Sequence, residues 1–344
     1  MAQTSAHAAH SAAMPLVRIW TFDAALASGV ATPIDIFLAA NYLATPGGEP
    51  GRRTRPFEWQ VESLDGKPVR TASGQLLPVD GRISGTAGAD AIWLTGPFVP
   101  DVARFLATRR DLEPLLSALR RQHERGTLLA TYCTGSFLLA EAGLLHGKAA
   151  TTHWSHARAF QSRYPDVQLK HAELITEQAG ILCSAAVTSY QNLALRLVEK
   201  LANAKLALDT AKLMLIDLHR DLQSPYASPF HELCDHGDDL VARGQRWMTK
   251  RLKEGFSITQ LSQQLAVSER TLNRRFKQAL GEPPLKHLQS LRIEMAKRLF
   301  ETTRATVEVA CDRIGYSDPA SFRDLFKRHT GVTPSEYRRR FGRR

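Results

Sequence analysis

The last hundred residues of this chain contain the same segment twice. The first copy runs from Ile258 to Pro284 and the second from Val307 to Pro334. Their apolar residues match at an offset of 49 before the turn and 50 after it, so the second copy has one extra residue at the turn. Each copy has the pattern of a short helix, a tight turn and a second amphipathic helix, which predicts a helix-turn-helix unit. Two such units in one chain can reach two stretches of DNA major groove without a partner.

The charge distribution supports the same interpretation. Residues 240–344 contain 23 Lys and Arg and 10 Asp and Glu, a net charge of +13, while the rest of the chain has a net charge of −2. Neutralisation of phosphates by Lys and Arg supplies most non-specific DNA affinity. A basic helix on a membrane surface is the rival interpretation, but it needs a long uninterrupted apolar face. Gly281, Pro283, Pro284 and Gly331 interrupt this segment, which favours DNA.

The length and the cysteine content set further bounds. A chain of 344 residues exceeds what one compact core usually organises, so two domains are expected. The four cysteines, at positions 133, 183, 234 and 311, lack metal-ligand spacing and predict a reduced, cytoplasmic setting with no metal. Residues 1–13 lack the basic start and apolar core of a signal peptide and predict a disordered tail.

Strand-like and helix-like segments alternate over residues 16–236, which is typical of an α/β domain with a mainly parallel sheet covered on both faces. Pro33 is expected in the first turn of its helix. The predicted strands are 16–22, 57–61, 91–94, 127–132 and 181–183, and the predicted helices are 33–43, 101–125, 135–142 and 187–219. We therefore expect a tail at 1–13, an α/β domain at 14–220, a linker at 221–239 and an all-α domain at 240–344.

One strand of the α/β domain runs directly into a turn of small residues and a helix, over residues 128–137. This places Cys133 beside a helix N-terminus, where N–H groups and the macrodipole favour a thiolate. His153 follows later, and the two side chains could act as nucleophile and base. The alternative is a cysteine packed as a small apolar residue and a histidine in the wall of a pocket.

These motifs resemble two known families. Residues 16–205 resemble the PfpI-like, class I glutamine amidotransferase-like fold, through the Cys-Thr-Gly-Ser-Phe elbow at 133–137, the segment 141–148 and the Thr-Thr-His-Trp at 151–154. Residues 245–342 resemble the AraC/XylS DNA-binding domain, through both helix-turn-helix units and the segment 331–338. This pairing is that of the GlxA-type transcriptional regulators. The resemblance implies a flavodoxin-like domain that senses a small molecule and forms a homodimer, and a domain that binds promoter DNA and activates RNA polymerase.

Catalytic members of the amidotransferase-like superfamily carry an acidic residue near the first strand, and that position is Gly29 here. Its neighbours Ser28 and Val30 cannot replace a carboxylate, so nothing obvious tunes the cysteine. We therefore expect neither an enzyme nor a cofactor.

The expected role of the elbow is a small-molecule pocket at the carboxyl ends of the strands. An acidic group beside an aromatic ring suits an amine or a quaternary ammonium, and the resemblance implies an amino acid or such an amine as the ligand. Plain core packing of Trp154 is the alternative. The candidate lining residues are Asp23, Cys133, Thr134, His153 and Trp154.

In the first copy of the repeat, Leu272, Phe276 and Leu280 recur at helical spacing and are expected to face the domain core. Ser268 is placed to cap the helix. Arginine can pair with guanine edges and asparagine with adenine, and these positions match the base-contacting ones of the AraC/XylS family. The residues predicted to face DNA are Ser268, Arg270, Asn273, Arg274 and Lys277.

In the second copy, Phe322 and Phe326 are expected to face inward. Arg323 is the main candidate for reading a base, and Asp324 could accept a hydrogen bond from cytosine or orient Arg323 or Arg328. Contact with phosphate alone is the alternative for Arg270, Asn273 and Arg274 of the first copy. The residues predicted to face DNA here are Ala320, Ser321, Arg323, Asp324 and Lys327.

One helix over Pro284–Thr302 is predicted to connect the two units. Its length of roughly 27 Å, together with the width of the units, suits recognition helices entering successive turns of DNA about 34 Å apart.

Overall fold

The computed structural model describes residues 15–44, 57–218, 221–227, 237–254 and 256–342, with Arg110 described for its backbone only. The chain divides into two compact units, Met1–Asp221 and Leu222–Arg344. The tail predicted at 1–13, Cys234 and residues 228–236 of the predicted linker lie outside the described residues.

The first unit is built on a sheet that has seven strands among the described residues, in the order β10-β11-β7-β6-β1-β2-β5. Neighbouring strands are parallel except for β10 and β11. Two further pairs, β3–β4 and β8–β9, lie outside it. The strands are β1 (Leu16–Trp20), β2 (Glu58–Ser63), β3 (Val69–Arg70), β4 (Leu76–Leu77), β5 (Gly81–Arg82), β6 (Ala91–Leu94), β7 (Leu128–Tyr132), β8 (Ala149–Ala150), β9 (Gln168–Leu169), β10 (Ile175–Gln178) and β11 (Ile181–Ser184).

Helices cover both faces of this sheet. They are α1 (Ser28–Ala44), α2 (Val102–Thr108), α3 (Glu113–Glu124), α4 (Gly135–Glu141), α5 (Ala157–Arg163), α6 (Tyr190–Leu201) and α7 (Ala204–Leu213). Side chains alternate between the two faces of a strand, so Val17 and Ile19 join the core beneath α1, α6 and α7, while Trp20 joins the core beneath α3, α4 and α5. The prediction of a mainly parallel, doubly covered sheet is confirmed.

The prediction for Pro33 is wrong, because α1 begins at Ser28 and Pro33 lies inside it. A proline inside a helix has no N–H for the carbonyl four residues earlier, which here is that of Gly29. The indole Nε1 of Trp93 donates to this carbonyl at 2.9 Å. A distant residue thus supplies the missing hydrogen bond, which local sequence rules do not anticipate.

The second unit is all-helical in its described part. Its helices are α8 (Asp239–Lys250), α9 (Ile258–Gln264), α10 (Glu269–Leu280), α11 (Pro284–Thr302), α12 (Val307–Ile314), α13 (Pro319–Thr330) and α14 (Pro334–Phe341). We call α9 with α10 the first module and α12 with α13 the second module. Each module has its own core, and α11 contributes to both, with Leu291 in the first and Phe300 in the second. The connecting helix over Pro284–Thr302 has the predicted bounds.

The start of the second unit packs on the second module. The Ser224 hydroxyl donates to the Thr330 carbonyl at 3.0 Å. The Tyr226 ring meets the Phe341 ring edge-on at 5.1 Å. Residues 222–227 of the predicted linker are therefore held on this unit by specific contacts. No helix in the described parts of the chain is both long and apolar enough to cross a membrane.

Candidate nucleic-acid interface and small-molecule site

The first module is fixed by helix caps and a closely packed core. Ser257 and Gln260 form a capping box at the start of α9, and the Ser268 hydroxyl accepts from the Thr271 N–H at the start of α10. Phe276 is fully buried, and a side chain at Gly244 of α8 would come within about 3.1 Å of its ring. This packing fixes which face of α10 is turned outward.

The outward face of α10 carries the predicted residues. Arg270, Arg274 and Lys277 are exposed. Asn273 is half-buried, and its amide donates to the Glu269 carbonyl at 2.9 Å. Ser268 is exposed and serves as the N-cap, as predicted. Contact of these side chains with DNA remains a prediction.

A neighbouring arginine of α10 is already engaged. Arg275 makes two hydrogen bonds of 2.6 Å to the Asp238 carboxylate, which also caps α8. The hydrogen bond from Arg275 is the largest cause that holds the pKa of Asp238 below its usual range. This pair ties α8 to α10 and distinguishes Arg275 from the exposed Arg274.

The second module repeats this arrangement with different capping residues. Gly315 ends α12 in the left-handed region at φ 70°, and a Cβ there would lie 2.6 Å from the Leu252 carbonyl oxygen. Asp318 caps α13 by accepting from the N–H groups of Ala320 and Ser321, at 3.0 and 3.1 Å. Pro319 occupies the first turn of α13, as predicted.

The five predicted residues of α13, namely Ala320, Ser321, Arg323, Asp324 and Lys327, are all exposed. Arg323 donates from Nη2 to the Glu308 carboxylate at 2.6 Å. The role of orienting Arg323, considered for Asp324, thus belongs to Glu308 of α12. Glu308 was not among the predicted site residues, because its pair with Arg323 joins two helices. Its place in the first turn of α12, one helix before Arg323, is the signal that could have identified it.

The second candidate site lies at the turn after β7. Cys133 has φ 56°, in the left-handed region that costs energy for a non-glycine residue. Its conformation is fixed by its neighbours. The Cys133 N–H donates to the Ser184 carbonyl at 2.9 Å, and the Cys133 carbonyl accepts from the hydroxyls of Thr152 at 3.0 Å and Ser136 at 3.1 Å. The strand therefore ends in a rigid elbow, formed by residues 132–136.

Of the two interpretations left open for Cys133, the structure supports the packed cysteine rather than the thiolate. Burial raises the pKa of Cys133 to about 11, and the hydrogen bonds from Thr134 offset only part of this effect. Burial, with a smaller effect from His156, lowers the pKa of His153 to about 4. At neutral pH the site therefore presents a neutral thiol and a neutral imidazole, whose Nδ1 accepts from the Ser155 N–H at 3.1 Å.

The position expected for a catalytic acid is filled by another side chain. A Cβ on Gly29 would lie 1.7 Å from the Tyr132 hydroxyl oxygen. The Tyr132 ring is held by Trp93, at 6.0 Å between centroids, and by Tyr190, edge-on at 5.3 Å. Glycine at position 29 thus gives room to the tyrosine that precedes the elbow cysteine, and a carboxylate there would collide with it.

The structure brings together most of the predicted pocket residues. Thr134 donates to the Pro97 carbonyl, and the Thr152 hydroxyl joins Cys133 to the segment that carries His153 and Trp154, whose rings lie 5.1 Å apart. Asp23 lies apart from these contacts: it follows β1, is exposed, and accepts from the Arg70 N–H at 2.8 Å.

Arg109 is a residue that the sequence analysis missed. Its guanidinium lies over the Phe105 ring at 5.3 Å, and its pKa is raised chiefly by the hydrogen bond to Asp111 and further by the charge of Asp23. A cation therefore lies within electrostatic reach of the predicted acidic residue. Among the residues that the structure describes, no group of three or more His, Cys, Asp or Glu could hold a metal ion.

Comparison with known proteins gives the same division of the chain. Residues 36–200 match the DJ-1/PfpI family, and residues 261–340 match a helix-turn-helix domain family. The chain is 26% identical over 282 residues to the HTH-type transcriptional regulator CdhR of Pseudomonas aeruginosa, covering 82% of each protein. It is 27% identical over 232 residues to the HTH-type transcriptional regulator GlxA of Rhizobium meliloti, covering 66% of this chain and 69% of that protein.

A solved structure resembles the first unit. A protein from Vibrio parahaemolyticus, described as a transcriptional regulator, has a TM-score of 0.50 at 17% identity, over 59% of this chain and 100% of that one. At this identity the likeness supports the fold alone. The matched families, the named relatives and the order of the two units lead to one assignment: the chain belongs to the GlxA-type AraC-family regulators, DNA-binding transcription regulators that combine a DJ-1/PfpI domain with a helix-turn-helix domain.

Proposed function

We propose that this regulator reads promoter DNA with α10 and α13, activates transcription in contact with RNA polymerase, and is controlled by a small metabolite bound to its first unit. The observation that carries the proposal is the repeated design of the two modules. In each, a capped helix buries aromatic or aliphatic residues on one face and exposes cationic side chains on the other. The N-terminal turns of both helices are the parts that would enter the groove.

The first module provides the clearest set of base contacts. Arg270 and Arg274 lie four residues apart on α10, and both are exposed. Each can make paired hydrogen bonds to guanine, and Asn273 between them can pair with adenine. The second module offers Arg323 and Lys327 in the same way. Phosphate contacts by the remaining cations would add affinity without sequence preference.

The connecting helix sets the spacing of the two contacts. The 19 residues of α11 span about 28 Å at 1.5 Å per residue. Because its two halves belong to two separate cores, the modules are held as parts of one body. This supports simultaneous entry into two turns of one DNA face, with a bend in the DNA as one way to match the spacing.

Control by a ligand is proposed for the site around the elbow. Open α/β sheets bind ligands beyond the carboxyl ends of their strands, where Cys133, Thr134, His153 and Trp154 lie. The ring of Trp154 suits an amine or a quaternary ammonium, and the family resemblance adds amino acids to this class. Asp23 is the carboxylate proposed to pair with such a ligand, although in this structure it accepts from the Arg70 N–H apart from the elbow cluster. Catalysis is not proposed, because the thiol and the imidazole are both neutral and Tyr132 fills the place of the acid.

Dimerisation is proposed to use the outer surface of α1 and α7. These helices expose large apolar side chains, with Leu38 56% and Tyr42 74% accessible on α1 and Leu208 44% accessible on α7. A patch of this kind on a folded unit is typical of a protein interface, and a two-fold dimer would bury the same patch on both copies. A ligand then acts by binding one arrangement of the dimer better than the other.

The proposal is tested with the full chain and a panel of amino acids and quaternary amines, choline included. A compound that binds the first unit should raise its melting temperature and change the affinity for a DNA duplex enriched by the protein from a randomised pool. Asp23→Asn should abolish both effects, while Asp65→Asn, which removes an exposed carboxylate in the turn between β2 and β3, should not. If no compound in the panel changes the affinity for DNA, the protein is a constitutive DNA binder, and the proposed control by a small molecule is refuted.

A further inference from the structure

Arg323, the predicted base-reading residue of α13, is held by an acidic partner from the other helix of its module. Its Nη2 donates to the Glu308 carboxylate at 2.6 Å. Glu308 belongs to the first turn of α12, so the bond joins the two helices of the second module. The side chains are 48% and 59% exposed, which leaves both open to a ligand from solution.

This ion pair does little for folding. Exposed pairs contribute little to stability, because water screens the charges and two long side chains lose freedom. What the pair does control is the position and the charge of Arg323. A guanidinium has five N–H donors in a fixed plane, so one bond to Glu308 orients the plane and still leaves a pair of donors for a base edge.

A carboxylate at this place also acts against contact with phosphate. A free arginine on a DNA-facing helix attracts any phosphate, whatever the sequence. Pairing with Glu308 partly neutralises the charge of Arg323. A phosphate that approached Arg323 would also be repelled by the negative charge of the Glu308 carboxylate. Guanine carries two acceptors, O6 and N7, without a negative charge. Glu308 therefore favours the base contact over the phosphate contact.

The first module lacks this charge pair. The positions equivalent to Glu308 and Arg323 in the repeat are Thr259 and Asn273. Both contact Glu269: the Thr259 hydroxyl donates to its carboxylate at 2.6 Å, and the Asn273 amide donates to its main-chain carbonyl. The equivalent positions thus lie close to the second helix of both modules, but only in the second module are they an acid and an arginine that pair with each other.

We propose that Glu308 is a specificity-determining positioning residue, which presents Arg323 to a guanine and weakens its contact with phosphates. The inference rests on the proposed reading of DNA by α13 and names the residue that makes this reading selective.

The test compares Glu308→Gln with the wild-type full chain. Glutamine keeps the shape of the side chain and removes its charge. Affinity is measured for a duplex enriched by the wild-type protein from a randomised pool and for a scrambled duplex of the same composition, at several salt concentrations. The ratio of the two affinities should fall by about two- to fivefold, the range expected for one exposed ion pair. Repeated enrichment with Glu308→Gln should relax the preference at one guanine position.

Glu269→Gln is the matched control, because it removes a carboxylate from the equivalent part of the first module without freeing an arginine. It should change both affinities by the same factor and leave their ratio as it was. In an Arg323→Ala background, Glu308→Gln should cause no further fall in the ratio.

The inference is overturned if Glu308→Gln behaves like the control, or if its effect persists without Arg323. If the wild-type protein enriches a duplex and Glu308→Gln leaves the ratio of the two affinities unchanged, the inference alone is overturned. Wild-type protein that prefers no duplex over any other overturns the proposed function together with it.

Discussion

Replacing Gly29 by alanine tests why the elbow of this regulator has no catalytic acid. The new Cβ would lie 1.7 Å from the Tyr132 hydroxyl oxygen and 2.6 Å from its Cζ. Ordinary contact requires about 3.4–4 Å, so the ring or helix α1 must move by roughly 2 Å against a close-packed interior. Trp93 and Tyr190 hold the ring in place.

The expected magnitude follows from two opposing terms. Overpacking a core costs about 1–3 kcal/mol, while alanine is favoured over glycine in a helix by about 1 kcal/mol. Because an overlap of this size belongs at the upper end of the overpacking range, we expect Gly29→Ala to lower the free energy of unfolding of the first unit by about 2 kcal/mol. Tyr132→Phe should be neutral or stabilising, since its buried hydroxyl has no hydrogen-bond partner among the described residues.

The assay is urea unfolding followed by tryptophan fluorescence. Trp247 is the tryptophan of the second unit, so a Trp247→Phe background makes the signal report on the first unit. The double variant Gly29→Ala/Tyr132→Phe should recover part of the loss, which shows the two positions to be coupled. The proposed collision with Tyr132 would be refuted if Gly29→Ala left the free energy of unfolding unchanged and the double variant showed no coupling between positions 29 and 132.

Three further predictions concern single side chains. Arg274→Ala should weaken binding to an enriched duplex by about 1–3 kcal/mol and relax the sequence preference at one position, as measured by fluorescence anisotropy. Cys133→Ser should leave DNA affinity unchanged, because the thiol is buried and neutral in the other unit; a folded Cys133→Ser protein that fails to bind would contradict the modular organisation. Asp238→Asn keeps the helix cap but removes the charge that pairs with Arg275. The folded-state pKa of Asp238 is lowered, so its stabilising effect is present above the unfolded pKa of about 3.9 and is lost as the pH falls through the folded value. Thermal unfolding should therefore find Asp238→Asn less stable than wild type near pH 7 and equal to it below the folded pKa.

Local patterns were enough to predict much of this fold. The bounds of α11 follow from a proline at its start and a regular apolar face, and the cap at Ser268 follows from a hydroxyl before an amphipathic segment. The order of strands and helices predicted the covered parallel sheet, although two-residue strands such as β3 and β8 carry too little pattern to be recognised.

The errors arose where a distant residue decides the outcome. Pro33 is tolerated inside α1 because Trp93, 60 positions along the chain, bonds the freed carbonyl. The choice between thiolate and packed thiol at Cys133 stayed open for the same reason: burial outweighs the nearby helix N-terminus, and burial depends on the whole fold. The pair of Glu308 and Arg323 joins two helices and leaves no periodic trace in the sequence.

A hydroxyl-radical footprint of the full chain on an enriched duplex tests the central claim most directly. If the two modules enter neighbouring turns of the major groove, each bound chain protects two patches on one DNA face, about one helical turn apart. Arg274→Ala should weaken one patch and Arg323→Ala the other. A single patch, or protection that random competitor DNA removes equally well at moderate salt, would contradict the account.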